Sequence, residues 1–173
     1  MKEKRKDCRN KVSKQLLKED IKLSENQYVV FKLGREEYGI DIMNVREIVQ
    51  YQESVKIPNA PKFVEGIINF RGNVIPIVCL KKRFGMEGRT ADANTRIIVI
   101  NLNEKQIGFL VDEASQTVRL DDSNIDPTPD IIAGIDRRYI TGVGKLDERL
   151  IILIDLERVL TEEEKEKIDN LQV

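Results

Sequence analysis

The sequence predicts a mainly β fold built from small closed barrels, and three observations lead there. Val64–Leu80 reads V-E-G-I-I-N-F-R-G-N-V-I-P-I-V-C-L, two apolar runs around one short polar turn, which is the pattern of a β-hairpin. The same grammar returns without a gap when Gly66–Leu80 is set on Gly142–Leu156, an offset of 76 residues as from Gly66 to Gly142. Nine or ten short strand-like runs are interrupted by few helical ones, and closure into barrels removes the exposed edges that so many hairpins would otherwise present. The recurrence reads either as a duplicated unit or as the likeness that any two apolar hairpins share.

The elements follow in chain order. Residues 1–24 hold nine Lys or Arg and four acids, net +5, leaving −6 for the remainder. They read as a basic N-terminal tail, flexible or loosely helical around Val12, Leu16 and Leu17, that is either a solvated leader or a contact for an anionic surface. From Gln27, Y-V-V-F-K-L, a G-R-E-E turn and Y-G-I-D-I form a first hairpin. In I-M-N-V-R-E-I-V-Q-Y, Ile42, Val45, Ile48 and Val49 recur at helical spacing and predict a short amphipathic helix with Arg46 and Glu47 off its apolar line. Pro58 and Pro61 then break the chain before the central hairpin.

In that hairpin, Ile68 and Phe70 fall on one face and Asn69 and Arg71 on the other, because successive strand residues point to opposite sides. Val74–Leu80 is apolar on both faces and reads as buried on two sides, with Pro76 marking a bulge or an edge position. K-K-R-F-G-M-E-G-R-T-A-D-A-N is a glycine-punctuated loop with room for one helical turn. R-I-I-V-I-N-L turns at Asn103–Lys105 and returns as Q-I-G-F-L-V-D, with Gly108 at a bulge or a close backbone approach. Ser115–Leu120 is a further strand, while D-D-S-N-I-D-P-T-P-D is expected to be irregular. Tyr139–Leu146 and Leu150–Leu156 make the last hairpin, turning at Asp147–Arg149. Thr161 and Glu164 have the spacing of a capping box and open a C-terminal helix over 162–173, with acids at its positive end.

Composition narrows the chemistry. The 173 residues and 40% apolar content suit one ordinary domain or two small units sharing a core. No run approaches the roughly 20 apolar residues that cross a bilayer, and the start K-E-K-R-K lacks a secretory apolar run, so a cytoplasmic protein without membrane insertion is expected. Cys8 and Cys79 have neither metal nor redox spacing and read as free thiols. The absence of histidine removes Ser-His and Cys-His nucleophile pairs, H-E-x-x-H metal sites and a phosphohistidine relay on this chain.

Asp112 and Asp155, each ending an apolar strand, are the acids to test as a general acid or base, which would require a pocket joining them. The bland alternative is solvent or a nearby backbone N–H. Gly142-x-Gly144-Lys145 lacks phosphate-loop spacing and suits tight packing in a strand. A nucleic-acid barrel using the basic tail is the alternative function, but residues 25–173 are net acidic and hold no tryptophan. Arg71 at a hairpin tip and Glu47 either pair with each other or reach a partner.

The series E-E-Y-G-I-D-I at 36–42, V-R-E-I at 45–48, G-I-I-N-F-R-G-N-V-I-P-I-V at 66–78, V-D at 111–112 and L-I-I-L-I-D-L at 150–156 resembles the CheW family of bacterial chemotaxis coupling proteins, over roughly Glu25–Leu160. One departure is that the family usually has aspartate where this chain has Cys79, whereas Asp155 retains it in the second copy. The resemblance implies two interleaved five-stranded SH3-like β-barrels sharing a hydrophobic core within 25–161. It also implies a stand-alone adaptor without catalytic activity or cofactor, monomeric alone. Its implied partners are the cytoplasmic tips of chemoreceptors and the regulatory domain of the histidine kinase CheA, with recruitment to membrane receptor arrays. The candidate contact residues are Val45, Glu47 and Ile48 on the expected helix, Asn69, Arg71 and Gly72 at the hairpin turn, and Val111 and Asp112 at a strand end. A groove between the barrels would hold an apolar receptor helix.

Overall fold

A computed structural model of the chain describes residues 26–87, 90–128 and 138–170. Among these, eleven strands form two sheets. The first barrel takes β1 (Asn26–Leu33), β2 (Glu36–Asp41), β8 (Glu113–Leu120), β9 (Ile125–Asp126), β10 (Ile140–Leu146) and β11 (Arg149–Ile154), in the order β8-β1-β2-β11-β10-β9. The second takes β3 (Glu47–Gln50), β4 (Val64–Phe70), β5 (Asn73–Cys79), β6 (Arg96–Leu102) and β7 (Lys105–Val111), in the order β3-β6-β7-β5-β4. The chain therefore enters the first barrel, builds all of the second, and returns to complete the first.

The two barrels repeat one plan. The parallel contact of the first sets Leu153 opposite Gly39, and that of the second sets Ile77 opposite Gly108. Irregularities fall between Val64 and Gly66 in one hairpin and between Ile140 and Gly142 in the other, the same place under the 76-residue offset. Cys79 N donates to Phe63 O and Asp155 N to Tyr139 O, again at matched positions. The likeness of the two hairpins thus extends to their register and their surroundings, beyond what two unrelated apolar hairpins share.

Strand alternation sorts the apolar side chains into three clusters. Ile68, Phe70, Ile75, Ile77, Ile97 and Val99 fill the second barrel. Val30, Leu120, Ile151 and Leu153 fill the first. The opposite faces of the same strands, with Phe31, Tyr38, Ile98, Phe109 and Ile154 among them, meet in a larger core shared by both barrels. A chain of rings, Phe31, Tyr38, Phe84 and Tyr139, runs through that shared core with centroids 5.7, 5.9 and 5.3 Å apart in turn. Ile68 and Phe70 are buried and Asn69 is exposed, as their alternation requires.

Several local expectations are corrected. Ile42–Tyr51 is not a helix: one 3-10 turn at Ile42–Asn44, capped by the Asp41 carboxylate accepting from Met43 N at 2.9 Å, gives way to β3. Arg46 N donates to Val99 O, and β3 pairs along β6. Extended backbone lets adjacent residues serve two cores: Ile48 packs on the shared cluster and Val49 on that of the second barrel. Their β-branched side chains suit a strand, so tertiary packing overrides an ambiguous short period.

The stretch expected to be irregular holds a 3-10 turn at Asp122–Asn124 and the two-residue β9, which closes the first sheet against β10. That barrel consequently has six strands instead of five. The first turn is shortened to Gly34–Arg35, because Glu36 and Glu37 already belong to β2.

Pro76 lies in an interior strand, without a ladder penalty. Ile67, its partner in β4, exchanges both backbone bonds with Val55 on its far side, so the Ile67–Pro76 pair is a non-hydrogen-bonded one. Pairing of β5 with β7 begins only at Ile77. Gly108 is a close approach: a Cβ there would lie 2.6 Å from Ile77 Cδ1 and 2.7 Å from Ile97 Cγ2. Gly144 likewise would meet Leu120 Cδ1 at 2.6 Å.

The expected helical turn after β5 is α1 (Leu80–Arg83), and α2 spans Glu162–Asn170. The α2 capping box is complete: Glu164 N donates to Thr161 Oγ1 at 3.2 Å, and Thr161 N to Glu164 Oε1 at 3.0 Å. Ile168 anchors α2 in the shared core. The basic tail and residues 171–173 lie outside the described residues.

Candidate partner-binding surface

The second barrel closes between its outer strands, β3 and β4. Beyond β3, Val55 N donates to Ile67 O at 2.8 Å and Ile67 N to Val55 O at 2.9 Å. Gly66 is required here, since a Cβ would sit 2.2 Å from the Val55 carbonyl oxygen and its φ is +148°. At the end of β4 the chain turns through Arg71 (φ 51°) and Gly72 (φ 85°), two left-handed residues in succession, whose twist matches that of the flanking strands. Asn69 Oδ1 accepts from Gly72 N at 2.9 Å and holds that turn.

So placed, the Arg71 guanidinium donates to the Glu47 carboxylate at 2.5 Å and lies 5.1 Å from the centre of the Phe70 ring. Glu47, Asn69, Arg71 and Gly72 therefore come together as one patch, with the exposed face of Arg71 outermost. Arg71 and Glu47 pair with each other, and most of the Arg71 side chain stays in solvent. Val45 and Ile48 are half-buried against the shared core, beside the crossover from β2 to β3.

Val111 and Asp112 stand apart, at the crossover from β7 to β8. Val111 is only 1% exposed and packs in the shared core, so its side chain is a structural apolar contact and not a surface one. The Asp112 carboxylate accepts from Gly34 N at 2.8 Å and pairs with Lys81 Nζ at 3.1 Å. Asp155 accepts from Glu157 N at 3.0 Å, capping the 3-10 turn Leu156–Arg158, and pairs with Arg158. Both carboxylates are thus committed to backbone and ion-pair partners, the arrangement that strand-end acids commonly adopt.

Cys79 takes the place matching Asp155 and precedes α1 without a side-chain cap. Its thiol is buried, and burial pushes its pKa up. Across the parallel contact of the first barrel, Arg149 forks Glu37 through Nε at 2.9 Å and Nη2 at 2.6 Å, and holds that carboxyl below its ordinary range. No group of three or more Cys, Asp or Glu among the described residues is arranged to hold a metal ion, and no described helix is long and apolar enough to cross a membrane.

The sequence reading missed the exposed apolar residues. Met43, Tyr51, Val55, Val74 and Leu150 all present side chains to solvent. Val74 and Leu150 are related by the 76-residue offset, so the internal repeat carried a signal for them. Concavities of about 430 and 540 Å³ share Arg46 and Asn101; the first is also lined by Met43, Val45 and Glu157, the second by Val74 and Gln106. Both are lined largely by polar groups.

Residues 27–164 match the family model described as a CheW-like domain. The chain is 39% identical to the chemotaxis protein CheW of Klebsiella aerogenes over 145 residues, covering 84% of this chain and 87% of that one. It is 35% identical to the chemotaxis protein CheW of Treponema pallidum, covering 84% and 88%. The crystal structure of the scaffolding protein TtCheW from Thermoanaerobacter tengcongensis is similar with a TM-score of 0.74 at 38% identity, covering 82% of this chain and 96% of that one.

Proposed function

The chain belongs to the CheW family, and from that premise we propose that it is a non-catalytic chemotaxis adaptor that couples chemoreceptor tips to the histidine kinase CheA. The cytoplasm is the compartment this reading requires, with recruitment to receptor arrays through those contacts. Its partners would be the regulatory domain of the kinase and the cytoplasmic ends of receptors, neither of which requires turnover.

One observation carries the reading beyond family membership. The closure of the second barrel gathers Glu47, Asn69, Arg71 and Gly72 at its surface; solvent-facing Val74 is the cross-strand partner of Asn69, and solvent-facing Val55 bridges Ile67 on the same strand β4. Apolar side chains beside a fixed charged pair suit a protein contact, in which a few ordered anchors carry most of the binding energy. Val45 and Ile48 would support the patch from beneath, and Asp112 would act by holding the crossover in place.

The experiment is co-purification of the full chain with a receptor cytoplasmic fragment and with the kinase regulatory domain. Retention of both by the native chain, and reduced retention of at least one by Arg71→Glu with unchanged folding, is the expected result. Failure of the native chain to retain either fragment would overturn the adaptor reading.

A further inference from the structure

The internal repeat matches the two crossovers between the barrels residue for residue. Registering Gly39 on Gly108 and Leu153 on Ile77 sets Met43 on Asp112 and Glu157 on Lys81. The same two positions are built in opposite ways at the two seams.

At the seam beside the β7–β8 crossover, one carboxylate oxygen gathers both barrels. Asp112 Oδ2 accepts from Gly34 N at 2.8 Å, in the β1–β2 turn of the first barrel, and pairs at 3.1 Å with Lys81 Nζ, in α1 of the second. Asp112 N donates to Lys32 O at 3.1 Å. The two side chains are 11% and 17% exposed, and Lys81 is the single buried charged residue among those described. At the seam beside the β2–β3 crossover, Met43 is 84% exposed and lines, with Glu157, the concavity of about 430 Å³. There is no bridge between these two positions.

We infer that Lys81 is a positioning residue: its ion pair with Asp112 fixes how the two barrels sit against each other at this seam, a bridge that the matched seam at Met43 and Glu157 lacks. A largely buried ion pair gains little net stability over well-packed apolar groups, and its best-attested use is to fix register. Here three elements of two barrels share one acceptor, whereas the shared apolar core alone is non-directional.

The test measures the distance between the barrels and needs no partner. Spin labels are placed by Glu53→Cys in the second barrel and Glu148→Cys in the first, in a chain with Cys8 and Cys79 replaced by alanine. Double electron–electron resonance then gives the distribution of separations. A single narrow distribution is expected for this labelled background. Lys81→Met, which leaves Asp112 without its cation, and the double variant Lys81→Gln with Asp112→Asn, which removes both charges, should each broaden or displace it by several ångströms. The double variant leaves no uncompensated charge, so it is expected to stay folded, with an unfolding constant within tenfold of the background, even if Lys81→Met does not fold. A folded double variant whose distribution superimposes on the background overturns the inference, as does a broad distribution in the background itself.

Discussion

Arg71 and Glu47 are joined across the closure of the second barrel, one from the turn after its outermost strand β4 and the other from the first residue of β3. The pair ties together the two edges of an open sheet order, with the Val55–Ile67 bridge beside it. Most of the Arg71 side chain remains in solvent, so its stabilising contribution is at most about 1 kcal/mol. Arg71→Glu should therefore lower the urea midpoint only slightly while reducing partner retention. Adding Glu47→Arg should restore the midpoint through the reversed pair. If it also restores retention, partner recognition reads the closed shape and not the charge at position 71.

The packing at Gly108 yields a second prediction. A methyl there would press on Ile77 Cδ1 and Ile97 Cγ2, both in the core of the second barrel. Gly108→Ala should cost about 1–3 kcal/mol by overpacking, measured by urea unfolding. Ile77→Val, which deletes Cδ1, should recover part of that loss when combined with it. Simple additivity of the two changes would show that the close approach is relieved elsewhere.

Much of this fold was legible because strand alternation and turn chemistry act locally. The central hairpin and the Thr161–Glu164 capping box follow from residues within a few positions of one another, whereas the partners that crowd Gly108, Ile77 and Ile97, come from other strands. Strand β3 was not legible, since Ile48 and Val49 satisfy helical spacing equally well and only the two separate cores that they cover choose between the periods. Lys81 was hidden for the same reason: within K-K-R-F-G it reads as one more solvated charge, and its burial depends on Asp112, which is distant in sequence. Of the candidate site, the Asn69–Gly72 turn could be read locally, whereas the burial of Val111 is set by the shared core, where the first barrel packs against β7.

The α2 helix offers a local test. Thr161→Ala removes the acceptor for Glu164 N and should cost about 1 kcal/mol. Hydrogen exchange should report faster opening over Glu162–Asn170 with little change in β4 or β5. A uniform loss of protection across both barrels would mean that α2 is part of the global folding unit.

The Glu37–Arg149 fork makes stability depend on pH in a known direction. The guanidinium lowers the Glu37 pKa in the folded chain, so the folded state binds its proton less readily than the unfolded state does. The associated stabilisation is fully present above the ordinary glutamate value, near 4.5, and is lost as pH falls through the lowered folded value. Glu37→Gln should therefore flatten the acid limb of the unfolding free energy below about pH 4.5 relative to the native chain. Parallel acid limbs for the two proteins would show that Arg149 does not favour the ionised form of Glu37.

Cys79 replaces, at a matched position, the carboxylate that caps the 3-10 turn in the first barrel. Burial raises the pKa of its thiol, outweighing the smaller downward pull of the nearby Lys81 and Lys82 backbone. With the residue only 6% exposed and a thiol that resists ionisation, the reactive thiolate is scarce and sheltered. Labelling of Cys79 in a Cys8→Ala chain should follow the unfolding rate, and not the much faster rate of an exposed thiol. Cys79→Asp would offer α1 a capping acceptor, but at the cost of placing a carboxylate where only a neutral thiol is now buried. The neighbouring Lys82 is already paired with Glu65 at 2.7 Å, and Lys81 with Asp112, so the new charge would compete for cations in use. The substitution should therefore destabilise the chain at neutral pH by about 1–3 kcal/mol, less so at pH 4, where the buried carboxyl takes up a proton. Unchanged or increased stability at neutral pH would show that the cap outweighs the desolvation of the carboxylate, and that the two barrels accept the same residue at this position.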